Sequence, residues 1–304
     1  MQASLFNIKC QQCGGLCCYA DDRTYTATGK DPAELSDKLS QKYNVMANFL
    51  TDNKLKVNDE KTHLIVMTTR QKRSKVDTTT MTIQTPTAVI SQSTSERLLG
   101  AQIHQDMRWK EHLLDGKDAL IKSLNKRQGA IKKLSKVASF KTLKSVADGI
   151  FMSKLTYLMP VWAGCEEYMV NSLQVVQNKV ARTMTKLSRF TSTRKLMEDC
   201  QWLSTRQLMF YHSVLQLHKT LKNQAPVYLF QKATEGREYH YRTRQAAGGV
   251  LRQGPKAGLD LSRRGWCCRS VEDYNKLPHS LRLDMKLPSF KKKLKEWTKK
   301  NINI

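Results

Sequence analysis

No run of this chain comes near the ~18 consecutive apolar residues that a membrane helix needs. The most apolar stretch, Phe151 to Trp162, is interrupted by Lys154 and Pro160. Met1 to Cys13 lacks the basic start and apolar stretch of a secretory leader. These absences argue against membrane insertion and secretion, and they predict an intracellular protein, nuclear or cytoplasmic. In a reducing compartment the eight cysteines are not expected to form disulfides. Nor do they make a good zinc site. Cys10 and Cys13 form one ligand pair, but Cys17 and Cys18 sit too close together to form the second. Internal repeats are absent.

Acidic residues are scarce. Lys and Arg number 52 against 26 Asp and Glu, a net charge of +26. Such an excess repels itself in the compact state and attracts polyanions, nucleic acid first. It is also unevenly placed. Residues 1–60 hold seven basic and eight acidic residues; the remainder holds 45 basic and 18 acidic. A plain solvated surface is the alternative reading of the basic body.

Hydropathy patterning predicts a mixed chain. Gly15 to Ala20, GLCCYA, fits a short buried strand ending at Asp21-Asp22. Leu35, Leu39, Tyr43, Met46 and Leu50 then recur at helical spacing, with Asp31 as cap, Pro32 at the first position and Glu34 three residues after the cap. Lys61 to Met67 reads as a buried strand, 70–97 as a hairpin or loop excursion with a strand at Met81 to Gln84, and Leu98 to Ile103 as another strand. From Trp109 the period becomes helical: one long segment to Leu134, a second from Phe140 to Leu158, a third from Met169 to Leu187, and a fourth from Leu208 to His218. Residues 231–265 read as a loop-rich linker, and Leu287 to Trp297 as a final basic helix.

Tyr19-Ala20-Asp21-Asp22 carries the sharpest chemistry. Adjacent carboxylates at a strand end repel each other, and a divalent metal relieves both. Oxygen ligands suit Mg²⁺, and two such ions about 3.5–4 Å apart clamp the oxygens of phosphoryl transfer. A plain turn is the competing reading, since Asp is a turn residue.

The order of motifs resembles the reverse transcriptases of non-LTR retrotransposons. The matching residues are Tyr19 to Asp22, Val57 to Thr62, Leu98 to Gly100, Tyr157 to Trp162, Ala225 to Leu229, Tyr274 to Pro278, Arg282, and Ser289 to Leu294. The likeness runs from about Gly15 to Trp297, with Tyr274 where the family usually has Trp. It implies an α+β fold: a partial polymerase palm (a small antiparallel sheet with a helix) over 1–107, a larger helical thumb-like domain over 108–225, and a linker with a basic C-terminal segment over 226–304. It implies that Asp21 and Asp22 are catalytic metal ligands, and that Lys61 is a general acid toward pyrophosphate. For Lys61 an ordinary surface role is the alternative.

One departure is serious. The family carries a further catalytic Asp on an earlier strand, followed by a helix, and such a unit needs roughly 30 residues. Only 18 residues precede Tyr19, and none is acidic. The chain therefore reads as a truncated fragment, inactive alone, with Mg²⁺ held weakly or not at all. The alternative is a non-catalytic basic nucleic-acid-binding protein. Residues 108–154 hold twelve Lys or Arg against four acids; Lys122, Lys126, Arg127, Lys132, Lys133 and Lys136 are expected to grip the backbone of an RNA template–DNA primer duplex. No membrane partner is expected. A bare palm edge predicts self-association. Trp109, Trp162 and Trp202 are expected in the core.

Overall fold

The computed structural model describes residues 15–75, 81–85, 88–222, 224–226, 229–230, 260–282 and 286–303. Helices and small antiparallel sheets are both present, an α+β composition. Two compact units divide the chain, one up to Arg108 and one from Trp109 on. Residues 260–303 belong to the second unit together with 109–222. Cys10, Cys13, Val227, Tyr228 and most of the expected linker lie outside the described residues.

In the first unit, β1 (Leu16–Tyr19) and β2 (Asp22–Tyr25) pair antiparallel. The strand expected here forms but is not buried: Tyr19 is 66% exposed. A two-stranded ribbon shields neither of its own faces, and only Tyr25 reaches the unit's core. Helix α1 (Pro32–Asp52) starts as the sequence predicts, with the Glu34 N–H donating to Asp31 Oδ1 at 2.9 Å and Glu34 Oε2 accepting from the Lys30 N–H at 2.7 Å. It ends at Asn53, with Lys54 in the left-handed region at φ 59° and the Leu55 N–H reaching back to the Leu50 carbonyl at 2.8 Å. The expected strand over Lys61 to Met67 is replaced. A 3₁₀ turn covers Asp59–Lys61, and the following extended chain makes a single parallel bridge, Leu64 to Gln92. Alternation still buries Leu64 and Val66.

A short helix α2 (Arg70–Arg73) comes next, then the hairpin of β3 (Thr82–Gln84) and β4 (Val89–Ser91), where the sequence predicts one. The single strand expected over Leu98 to Ile103 is a hairpin instead, β5 (Ser95–Leu98) with β6 (Ala101–His104). Leu99 and Gly100, at φ 46° and 85°, form the turn that joins them, so the leucine-glycine pair reverses the chain. The described strands thus make three separate two-stranded ladders, not one small sheet. Tyr43, Met46 and Leu50 of α1 pack with Leu64, Val66, Met81, Ile83 and Ile90.

The second unit is helical. The long segment expected from Trp109 is broken: a π turn covers Glu111–Asp115, the chain bends at Gly116, and α3 runs Leu120–Leu134. Helix α4 (Phe140–Val146) continues through a π segment (Ala147–Met152) into α5 (Ser153–Thr156). Leu158, at φ 53°, turns the chain into α6 (Met159–Trp162). Then come α7 (Glu167–Thr185), α8 (Thr193–Asp199), α9 (Thr205–Leu221), α10 (Asp260–Arg264), α11 (Trp266–Asn275), α12 (His279–Arg282) and α13 (Leu287–Asn301).

Helix α9 organises this unit because it is buried on most of its sides, polar Thr205, Gln207, Ser213 and His218 included. Leu208 and Met209 belong to a core with α3 to α8; Phe210, Val214 and Leu217 belong to a second core with α11 to α13. Its start is fixed by a capping box between Ser204 and Gln207. Gln207 Nε2 also donates to the Ile302 carbonyl at 2.9 Å, pinning the end of α13. Buried Gln177 donates to the Leu203 carbonyl at 2.9 Å and accepts from Thr205 Oγ1 at 3.0 Å, joining α7 to α9. Gly164 lets the 264–265 backbone come close, since a Cβ there would lie 2.2 Å from the Arg264 carbonyl oxygen. Next to it, half-buried Arg269 donates to the carbonyls of Ala163 at 2.6 Å and Pro160 at 3.1 Å, capping α6. Trp162 and Trp202 are buried; Trp109, Trp266 and Trp297 pack at the margins of the two cores. No helix among the described residues is long and apolar enough to cross a membrane.

Candidate functional site

The acidic pair sits on the β1–β2 turn. Tyr19 pairs with Asp22, which leaves Ala20 and Asp21 as the two turn residues. Ala20 adopts φ 53°, as the first turn position of a two-residue hairpin requires. The base of the hairpin is tied down. The Thr26 N–H donates to the Gly15 carbonyl, and the Gly15 N–H donates to Thr26 Oγ1, both at 2.9 Å. Helix α1 holds the chain that leaves β2 through Lys42, 3.2 Å from the Thr26 carbonyl, and Lys38, 3.1 Å from that of Thr28. The tip bearing Asp21 and Asp22 is exposed.

Two exposed carboxylates supply hard oxygen donors of the kind Mg²⁺ prefers. They fit the type of a magnesium site but fall short in number. Among the described residues no three of His, Cys, Asp or Glu converge. Lys61 closes the 3₁₀ turn of the same unit, exposed, with its N–H 3.3 Å from Asn58 Oδ1. Among the described residues no hydrogen bond or ion pair joins it to the acidic pair.

Sequence reasoning missed Asp59. It accepts from the Tyr43 hydroxyl and, at 3.4 Å, from Thr85 Oγ1. Burial first, then the Asp59 carboxylate, pushes the Tyr43 phenol up to about 12. The pair lies at a cleft of about 400 Å³ lined also by Lys54, Leu55 and Lys56. Nothing in the spacing of Tyr43 and Asp59 announces this contact.

The cationic residues of the second unit sort into two groups. Leu120, Leu124 and Ile131 form the buried face of α3. Lys122, Lys126 and Lys133 fall on the opposite face, exposed; Lys132 and Lys136 are exposed beside them. Gly129 lies on this outer side, where an added Cβ would meet nothing within 4 Å. The backbone is therefore bare between lysines. Arg127 is different: its Nε donates to the Ile150 carbonyl at 2.8 Å and its Nη1 to Ser123 Oγ at 3.0 Å. Its guanidinium braces the π segment and is not turned outward with the lysines.

Two thiols and one imidazole of the second unit are tuned away from reactivity. Burial pushes the Cys165 thiol up to about 12 and Cys200 to about 11, so both stay protonated and unreactive at neutral pH. Burial, aided by Lys219, holds His212 down to about 4. Against protein-family models, curated proteins and solved structures, the chain matches none.

Proposed function

We propose that this chain is part of an RNA-directed DNA polymerase of the non-LTR retrotransposon type. Residues up to 107 form a partial palm, 108–225 a thumb, and 226–304 a linker and basic C-terminal segment whose helices α11 to α13 pack on α9. Its own activity is to grip nucleic acid. One observation carries the reading: adjacent aspartates on the tip of a two-residue hairpin, followed by the capped helix α1. The lysine face of α3 supports the binding half, since backbone contacts position a duplex without reading its sequence. Asp21 and Asp22 would hold Mg²⁺, which supplies charge neutralisation at phosphate oxygens. Polymerisation by this chain alone is not part of the proposal, because two carboxylates under-fill a two-metal site.

Four measurements test it. Primer extension on RNA with dNTPs and Mg²⁺ should give no product above an Asp21→Asn control. Duplex affinity should fall steeply with salt, and replacing Lys122, Lys126 and Lys133 by Gln should flatten that slope by about 0.9 for each phosphate left unneutralised. A salt-independent affinity would sink the binding half. The unrelated, purely binding reading is favoured instead if Asp21→Asn leaves Mg²⁺ affinity unchanged. Self-association through the β1–β2 edge belongs to the same proposal, and light scattering reads it.

A further inference from the structure

Two interhelical loops of the second unit carry the same pattern. Lys136-Val137-Ala138-Ser139-Phe140 joins α3 to α4, and Lys186-Leu187-Ser188-Arg189-Phe190 joins α7 to α8. Each places a lysine, an aliphatic residue and, four residues after the lysine, a phenylalanine. The apolar members are not folded away. Val137 is 86% exposed, Phe190 80% and Phe140 44%, and Leu187 is exposed too. Ala138, Ser139 and Phe140 from the first loop and Lys186 from the second line one cleft of about 390 Å³. Leu143 and Met184 also line it, and its Asp199 is paired with Lys195 at 2.8 Å.

The second loop is held in shape. The Thr191 N–H donates to the Ser188 carbonyl at 3.1 Å, and Arg182 Nη2 donates to the Thr191 carbonyl at 3.3 Å. Asn178 Nδ2 bonds Thr193 Oγ1 at 2.9 Å just beyond. The exposure of Phe190 is thus built in. The Arg189 guanidinium carbon sits 4.7 Å from the Phe190 ring centroid, a cation stacked on an aromatic face.

We infer that these two loops form a binding site for an unpaired nucleic-acid strand, whose bases stack on Phe140 and Phe190 while Lys136, Lys141, Lys186 and Arg189 hold its phosphates. The inference deepens the proposed function and rests on it. Three arguments select this occupant. Exposed rings interleaved with cations are what unpaired strands use, because every base has a π-face. A duplex hides those faces and offers a protein its phosphates, sugars and groove edges instead. A second copy of the chain would bring another +26 against this patch.

The test uses the full chain, a short fluorescein-labelled oligouridylate and an RNA–DNA duplex, read by anisotropy. Phe190→Ser should weaken oligouridylate binding about tenfold, and adding Phe140→Ser should weaken it about tenfold again, with duplex affinity changed less than twofold. Lys186→Glu should weaken oligouridylate binding without removing a ring, which covers the case in which the Phe140 variant folds poorly. Equal loss on both probes, or no loss on oligouridylate, overturns the inference. So does displacement of oligouridylate by an acidic amphipathic peptide at lower concentration than by unlabelled oligouridylate. So does a wild-type dimer that Phe190→Ser abolishes. If the wild type binds duplex but not oligouridylate, this inference alone fails; if it binds neither, the parent reading fails with it.

Discussion

The two units solve burial differently. In the first, the eight core side chains retain 3–8% exposure, whereas Leu113, Leu124, Ile131, Leu143, Phe151, Leu155 and Trp162 of the second are at 0%. The cause is geometric. The core of the first unit comes from α1, the extended chain at 64–66 and the β3–β4 hairpin with Met81 before it, while α3 to α9 share one larger core. The proposed metal ligands therefore ride on the looser unit and the proposed phosphate ligands on the closely packed one. A region that must hold a duplex gains from rigidity; a hairpin tip gains from being reachable.

The sharpest way to break this contrast is to cut a side chain from each core. Phe151→Ala removes a ring that is 0% exposed and stacked on Trp202 at 6.4 Å between centroids. It should cost about 3–5 kcal/mol. Ile83→Ala in the first unit should cost nearer ~2 kcal/mol, the low end for such a truncation. Amide exchange resolves the two, since protection is read locally. Equal costs would say that the first unit is packed as tightly as the second.

The next difference is in pH. The first unit should fail in alkali. Tyr43 has its pKa raised from 10.0 to about 12 by burial and Asp59. Between those values the unfolded chain has lost the phenolic proton and the folded one keeps it, so stability falls as pH rises. The second unit should weaken in acid. His212 is lowered from 6.5 to about 4, chiefly by burial. There the unfolded chain takes up a proton before the folded one, so stability falls as pH drops through that window. Tyr43→Phe should remove the alkaline slope and His212→Gln reduce the acid one, as followed by circular dichroism during pH titration. If either slope survives its variant, that group is not its source.

How far the sequence could be read also differs between the units. Helices α3, α7, α9 and α13 were legible because Leu120, Leu124 and Ile131, or Phe290 and Leu294, repeat at helical spacing. Helix α8 has seven residues, too few to show a period. Helix α11 buries Ser270 and Asp273 beside Val271 and Tyr274, so it carries no clean apolar stripe. In the first unit Leu98 to Ile103 reads as one strand despite Gly100, the turn residue within it, and the positive φ at Leu99 and Gly100 makes that point a turn. In the site, the exposed lysines of α3 followed from the helix period. The diversion of Arg127 to the Ile150 carbonyl did not, because a π segment has no sequence signature.

Capping offers a finer comparison, because it acts where packing does not. Asp31→Ala removes the acceptor for the Glu34 N–H and should destabilise α1 by about 1 kcal/mol. The capping box of α9 is buried, and Ser204→Ala should cost somewhat more, toward ~2 kcal/mol, since water cannot replace the missing bond. Thermal melts of the two variants test the order.

The smallest effect is expected to have the opposite sign. Lys54 occupies the left-handed residue that ends α1, at φ 59°, with its own N–H donating to the Thr51 carbonyl at 2.9 Å and that of Leu55 to Leu50. A side chain is disfavoured in that conformation by roughly 1–2 kcal/mol, whereas glycine adopts it freely. Lys54→Gly should therefore stabilise the first unit, by less than the full difference because glycine also gives the unfolded chain more freedom. A gain of about 0.5–1 kcal/mol in chemical denaturation is the expected result. A loss would mean that the lysine side chain stabilises the cleft it lines with Tyr43 and Asp59. That outcome would move attention from the exposed hairpin to this cleft as the part of the first unit shaped for a ligand.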